Sequence, residues 1–585
     1  MKNNLTLALI FFAILTNAQN EIGKKATLLE DGTIRVETVL LPSESSNQNK
    51  SSTDLLFSFG EPANPAIKNS RGVTIADVNN DGIEEILYGI DTELYVIDGN
   101  GDILWQKTVL GPILLPPTVM DMDGDGEVEI ALNTGYPTTV GRVYLMDNQG
   151  TDLPGWPLNF NDKWMINAPV LADLDGDNFL DVITCQRESS TIGFVHALKM
   201  DATPINSNWP IQFNATPAFT PSIGDIDNDG VKDVVIATSS TGLYVYDANG
   251  NLHTGFPLAD PNVKYSYQSP ILADLDNDEN LEIIGSNHGD APGFYVLKND
   301  ATYYPGWPVA TSGWTYSPPT VVDIEEDGTY EIFMADRNTS NDGTPLPTIY
   351  GLDPDANNLP NFPIEKYGGN EGVLTIADVN NDNVYDIIFS STLTDMDGFG
   401  YIHAYSLDGS GEIDGFPLRP RGFTFLNGAV LGDVDNDGLM DLTANSYTQT
   451  FGAGIDSSYV STYNLNVPYN TAKILRNGYK GDNSRDGLLG DEEILEVSEN
   501  ILTNNISISP NPSSGILKIN SEISLENATL SVLTMDGKIL FSEKTSLLET
   551  GTKSYNFNSI SSGIYFISIE DTESKNKTVL KWLKR

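Results

Sequence analysis

Cysteine is almost missing from this chain of 585 residues: Cys185 stands alone. A single thiol excludes an internal disulfide framework and any metal site built on paired cysteines. It lies in the apolar run Asp181-Val-Ile-Thr-Cys-Gln and reads as a small buried hydrophobe. Histidine is scarce too, with four residues. His196 and His403 fall in matching runs, Val195-His-Ala and Ile402-His-Ala, which points to packing; His253 and His288 read as loop residues without a partner. No nucleophile elbow or zinc-ligand spacing occurs, so no catalytic residue is assigned. Basic residues form the third scarcity, 32 against 81 acidic ones, for a net charge of −49. That balance argues against nucleic acid and anionic membrane surfaces as partners. Long apolar runs are confined to the start. Residues 1–18 carry Lys2, the run Leu5–Leu15 and a small residue at Ala18, the layout of a cleaved signal peptide. The run is too short for a bilayer core of about 30 Å. A secreted or outer-surface chain with no membrane insertion is expected.

What the chain has in abundance is one acidic phrase. Asp-x-(Asp/Asn)-x-Asp-Gly-x-x-(Asp/Glu) recurs eight times, at steps of 44 to 55 residues. Position 1 is Asp77, Asp121, Asp173, Asp225, Asp274, Asp323, Asp378 and Asp433. Position 3 is Asn79, Asp123, Asp175, Asp227, Asp276, Glu325, Asn380 and Asp435. Position 5 is Asp81, Asp125, Asp177, Asp229, Asp278, Asp327, Asp382 and Asp437. Position 9 is Glu85, Glu129, Asp181, Asp233, Glu282, Glu331, Asp386 and Asp441.

Alternate residues of a tight loop converge, and position 9 returns a carboxylate from the next strand. Such an oxygen cage suits a hard cation, most directly Ca²⁺. Position 6 needs a positive φ, hence Gly at 82, 126, 230, 328 and 438 and Asn at 178 and 383. Glu279 departs from that rule in loop five, and Glu325 is one carbon too long in loop six. An EF-hand places its last ligand at position 12 between helices; here it stands at 9 between strand-like runs. Up to eight Ca²⁺ ions are expected, and they would bring the net charge from −49 to −33. They would also relieve repulsion among three or four carboxylates per loop, so calcium should contribute to folding stability.

A period near 50 residues is that of a propeller blade. Each repeat reads as four short strands, an all-β pattern. The fourth ends on an aromatic-Pro pair: Trp156-Pro157, Trp209-Pro210, Phe256-Pro257, Trp307-Pro308, Phe362-Pro363 or Phe416-Pro417. The rings are expected to pack between blades. The expected layout is a signal peptide over 1–18, an extension over 19–53, a propeller over 54–480, an acidic linker over 481–500 and a separate domain over 501–585. Eight blades are expected, with Leu55-Leu-Phe-Ser-Phe59 supplying the outer strand of the last; a seven-bladed ring with one odd repeat is the alternative. The final segment reads as a small, Ig-like β-sandwich.

The loops and their flanking strands resemble the FG-GAP/VCBS repeats of integrin α-subunit propellers and their bacterial relatives. The resemblance implies structural Ca²⁺ and partners that dock on a propeller face. Pro510-Asn-Pro512 with Gly515, Met535-Asp-Gly-Lys538, Ser562-Gly-Ile-Tyr565 and the basic end resemble the type A C-terminal sorting domain of the type IX secretion system. That resemblance implies contact with the type IX machinery through 501–585, export across the outer membrane, then surface attachment or release. The expected function is adhesion to, or capture of, a polysaccharide or surface glycoprotein. A calcium-dependent polysaccharide lyase and a ligand-free structural surface component are the alternatives.

Overall fold

The apolar runs beside each loop are short, β-branched and bounded by Gly, Asn and Asp, so strands are their natural state. The computed structural model describes residues 21–29, 34–41, 53–64, 72–489 and 506–585, less 136–139, 218, 240–241, 261, 266–268, 312, 316–317, 341, 425, 427, 450–455, 522–524, 535–537, 548–550, 562 and 572–576. Signal residues 1–18 lie outside the described residues. Two compact units are present, Met1–Gly490 and Asp491–Arg585.

Loop one shows the pattern of the first unit. Thr74–Ala76 enters the loop and Glu85–Ile90 leaves it; Glu93–Ile97 and Ile103–Thr108 complete an antiparallel sheet. Every residue of Glu85–Ile90 is buried, because both faces of the sheet are covered by neighbouring sheets. Eight loops head eight sheets. The fourth has three strands, Ser222–Gly224, Asp233–Ala237 and Leu243–Asp247, with Leu258 bridging to Leu243 where a fourth would lie. In the eighth, Val430–Gly432, Leu439–Tyr447 and Ser457–Pro468 are joined on the outside by Asp54–Pro62, the expected closing strand.

The sheets are the blades of a β-propeller, and their seams hold the core. One apolar cluster spans each seam. Ile86, Tyr88 and Tyr95 of the first sheet meet Val430 and Val460 of the eighth, which seals the ring. The aromatic-Pro rings lie in these clusters: Trp156, Trp209, Phe256, Trp307 and Phe416 are all buried, and Phe362 is partly so. Trp156, Trp209 and Trp307 also donate indole N–H bonds to the next sheet, to the carbonyls of Met200, Ala248 and Pro354. Cys185 is buried in the cluster between sheets three and four, as expected.

Two additions flank the ring. Glu21–Leu28 and Ile34–Leu41 form a hairpin whose first strand pairs with Leu393–Asp395. The second addition corrects the expected linker. Residues 473–489 run round the inside of the ring as a strap, so 481–489 belong to the first unit. Ile474–Arg476 pairs with Thr375–Ala377 of sheet seven, and Asn477 brackets Leu431 of sheet eight through its side chain. The Asn483 side chain donates to Ile75 of sheet one. The carbonyls of Asn483, Ser484, Asp486 and Gly487 then accept from Val119, Leu171, Ile223 and Leu272 on sheets two to five. An acidic, glycine-containing run looked like a solvated spacer; its backbone instead satisfies inner-strand groups that have no neighbour on the axis side.

The second unit contains two sheets. Ile506–Ser509, Ile516–Ser521 and Gly551–Asn556 form one; Leu525–Leu533, Ile539–Leu547, Gly563–Asp571 and Lys577–Lys584 form the other. Leu517, Ile519, Leu530, Val532, Ile567 and Trp582 fill the space between them. The tip of the expected Met535-Asp-Gly-Lys538 hairpin, residues 535–537, lies outside the described residues.

Candidate metal centre

All eight acidic loops share one hydrogen-bond pattern. The position 1 aspartate accepts from the backbone N–H of position 5 at 3.0–3.2 Å. Its other oxygen accepts from position 6 at 2.7–3.0 Å. The position 5 aspartate accepts from position 7 at 2.7–3.0 Å. The position 9 carboxylate reaches back to the N–H of position 2 at 2.8–3.1 Å. Each carboxylate can accept more bonds than these, so the loops keep lone pairs for a cation.

Position 6 has φ of 67–92° in every loop. A Cβ on Gly82, Gly126, Gly230, Gly328 or Gly438 would meet nothing within 4 Å, so glycine is there for its backbone and not for space. Glu279 adopts φ 70° and loop five keeps the common pattern, against the expectation drawn from its sequence. Position 4 also has positive φ, 54–77°, filled by Asn in five loops, Gly in two and Glu326 in one. That second requirement is written in the Asn and Gly residues at position 4.

Three carboxylate oxygens come within 4.8 Å of one another in five loops. The groups are Asp121, Asp123 and Asp125; Asp173, Asp175 and Asp181; Asp225, Asp227 and Asp229; Asp274, Asp276 and Glu282; and Asp433, Asp435 and Asp441. Loop five is among them. Loop six, with Glu325, forms no such group among the described residues, and neither do loops one and seven, where Asn79 and Asn380 offer an amide oxygen instead.

The position 9 carboxylates are buried where water cannot solvate their charge. Burial, reinforced by the neighbouring loop carboxylates, pushes Glu85, Glu129, Asp181, Glu282, Glu331, Asp386 and Asp441 up to about 7. Asp233 moves the same way. Asp386 and Asp441 are fully buried, and their Oδ1 atoms have no hydrogen-bond partner. An orphaned buried carboxylate oxygen at the edge of an oxygen cage fits a bound cation.

Four loops also receive a basic side chain. Lys199 Nζ lies 2.6 Å from Asp175 and 2.7 Å from Asp177; Lys298 Nζ lies 2.8 Å from Asp276. Lys473, from the strap, lies 2.6 Å from Asp378. His253 Nε2 is 2.6 Å from Asp233 Oδ1, which corrects the reading of that histidine as unpartnered. His288 is corrected as well: it belongs to the strand Glu282–Gly289 and sits edge-on to Trp314. His196 and His403 lie at seams, against Phe160 and Phe389, as the repeat suggested.

Comparison with known proteins accords with these observations. Residues 121–184 and 225–285 match the FG-GAP-like repeat, and residues 507–584 match the secretion system C-terminal sorting domain. The chain carries FG-GAP-like repeats and a type IX sorting domain. No curated protein matches it. Among solved structures it is similar to the V. cholerae biofilm matrix protein Bap1, at 12% identity over 74% of this chain and 94% of that one, with a TM-score of 0.38. It is also similar to the Dos1 propeller, at 11% identity over 71% and 96%, with a TM-score of 0.38. A third likeness is to PorZ, a surface component of the type IX secretion system of Porphyromonas gingivalis, at 14% identity over 96% and 74%, with a TM-score of 0.29. The sorting domain marks this protein for type IX export, to the cell surface or beyond. Among its described residues no helix is long and apolar enough to cross a membrane.

Proposed function

We propose that this protein is a calcium-stabilised propeller that captures a polysaccharide or surface glycoprotein outside the cell. The observation that carries the calcium reading is one hydrogen-bonded acidic loop recurring eight times, with three carboxylates clustered in five copies and orphaned oxygens at Asp386 and Asp441. Asp, Glu and Asn are the oxygen donors that Ca²⁺ prefers, and sites in extracellular modules commonly bind at roughly 10⁻⁴–10⁻³ M. Bound ions would hold each loop's carboxylates ionised and tie the entry and exit strands of each blade together.

The loops occupy one end of every sheet, since each joins a first strand to a second. The opposite end is therefore free of metal and suits a partner. Two aromatic–cation pairs recur there in the same register: Trp164 with Arg187 at 4.1 Å and Trp314 with Arg337 at 4.8 Å. All four side chains are partly exposed. A flat indole beside a planar guanidinium offers a stacking surface for a sugar ring. This arrangement supports a glycan more directly than a protein partner.

The test is retention of polysaccharides and surface glycoproteins by the mature protein in millimolar-range Ca²⁺ and in EDTA, with products weighed. Retention of an intact polysaccharide in Ca²⁺, weakened about tenfold or more in Trp164→Ala, is the expected result. Shortened, unsaturated products would mean a lyase. No retention at all would favour a structural surface component.

A further inference from the structure

The eight loops are alike in backbone and unlike in what approaches them. The residue that follows the third strand occupies one register position in each repeat. It is an aspartate at Asp98, Asp147 and Asp353, which accepts N–H bonds from its own turn. In the repeats of loops three and five it is Lys199 and Lys298. The turn there is capped two residues later instead, by Asp201 and Asp300, which accept from Thr203 and Thr302. Relieved of capping, the lysines reach the loops. Lys199 Nζ bonds position 3 and position 5 of loop three, and Lys298 Nζ bonds position 3 of loop five and approaches Glu282 at 4.0 Å. Lys473 reaches loop seven from the strap and bonds Asp378, Asn381 and Asn383.

We propose that divalent cations load this propeller in two tiers, loops two and eight filling first and loops three, five and seven last, because a resident lysine already neutralises part of the charge in the latter. This rests on the calcium reading above. Loops two and eight make the clean comparison: they offer Asp at positions 1, 3 and 5 and a carboxylate at 9, the same donors as loops three and five. Among the described residues no lysine or arginine forms an ion pair with either of them, and loop eight instead receives the neutral Asn464 amide at Asp437. An ammonium about 4 Å from a divalent ion disfavours it by roughly tenfold or more even in a water-like dielectric. The lysine must swing out, or share its carboxylates, before the ion is held. At low calcium the lysines keep three blades partly neutral, so the ring stays closed while its other loops respond to the ion.

Calorimetric titration of the metal-stripped, full-length mature protein with Ca²⁺ tests this. Two affinity tiers are expected. Lys199→Met and Lys298→Met should each shift one equivalent of Ca²⁺ from the weaker tier to the tighter, an increase of about tenfold in affinity at that site. Lys163→Met should leave the isotherm unchanged, since Lys163 pairs with Glu188 at the other end of its sheet. A single tier of equal sites, or lysine variants that fold with an unaltered isotherm, would overturn the inference and leave the calcium reading standing. Should one lysine variant fail to fold, the other decides. A protein that takes up no Ca²⁺ in any variant would overturn both.

Discussion

At the scale of single residues, the ninth-position carboxylates are the pivots. Seven are pushed up to about 7, chiefly by burial. A carboxylate whose folded-state value lies above its unfolded one binds more protons when folded. Its contribution to stability is present below the unfolded value and is lost as pH rises through the folded one. The buried His288 and His403 and the partly buried His196 are pushed down to about 3, 4 and 4 and act in the opposite sense as pH falls below 6.5, but they are outnumbered. In EDTA the melting temperature should therefore fall between pH 5 and pH 8. In saturating Ca²⁺ the ion holds the carboxylates ionised, so the gap between the two melting curves should widen over the same range. An EDTA sample that gains stability toward pH 8 would contradict this. The acidic loop positions were legible in the sequence because all four fall within nine residues and their spacing sets the loop's hydrogen bonds. Lys199, Lys298 and His253 were not, because they arrive from turns 20 or more residues downstream and carry no local signal of their destination.

At the scale of elements, the blade was legible and the strap was not. The acidic loop repeats eight times and the aromatic-Pro pair six, so each copy corroborates the others. Residues 473–489 occur once, and their partners lie as far off as Thr74, 411 residues away. Three cations are buried in or beside this strap. Lys480 donates to the carbonyls of Pro221 and Asp486 and to Ser222 Oγ. Arg476 donates to the carbonyl of Lys480. Arg485 donates to the carbonyls of Tyr479 and Asp482 and to Thr74 Oγ1. Removing Arg485 would leave those acceptors buried without a donor. Arg485→Met is expected to cost about 3 kcal/mol of unfolding free energy, read from denaturant midpoints. The partly exposed Arg142, which bonds Asn159 and Asn161, should cost under about 1 kcal/mol on the same change. Equal costs would mean the strap is only loosely held.

At the scale of the molecule, address and cargo are separate. The sorting domain has its own two-sheet core around Trp582, and the propeller has its own eight seams. A chain lacking residues 507–584 should therefore melt its propeller at an unchanged temperature yet accumulate in the periplasm, as cell fractionation would show. Export of the shortened chain would remove the role assigned to this domain.

The strap also decides how the molecule bears load. Tension applied at the end of the first unit would enter the strap at residue 489. That tension meets the strap's hydrogen bonds in series, sheet five first and sheet seven last, before it reaches Ser457–Pro468, the strand whose pairing with Asp54–Pro62 seals the ring. Residues 473–489 bond seven of the eight sheets, so a propeller pulled from that end would resist being opened along its closing seam.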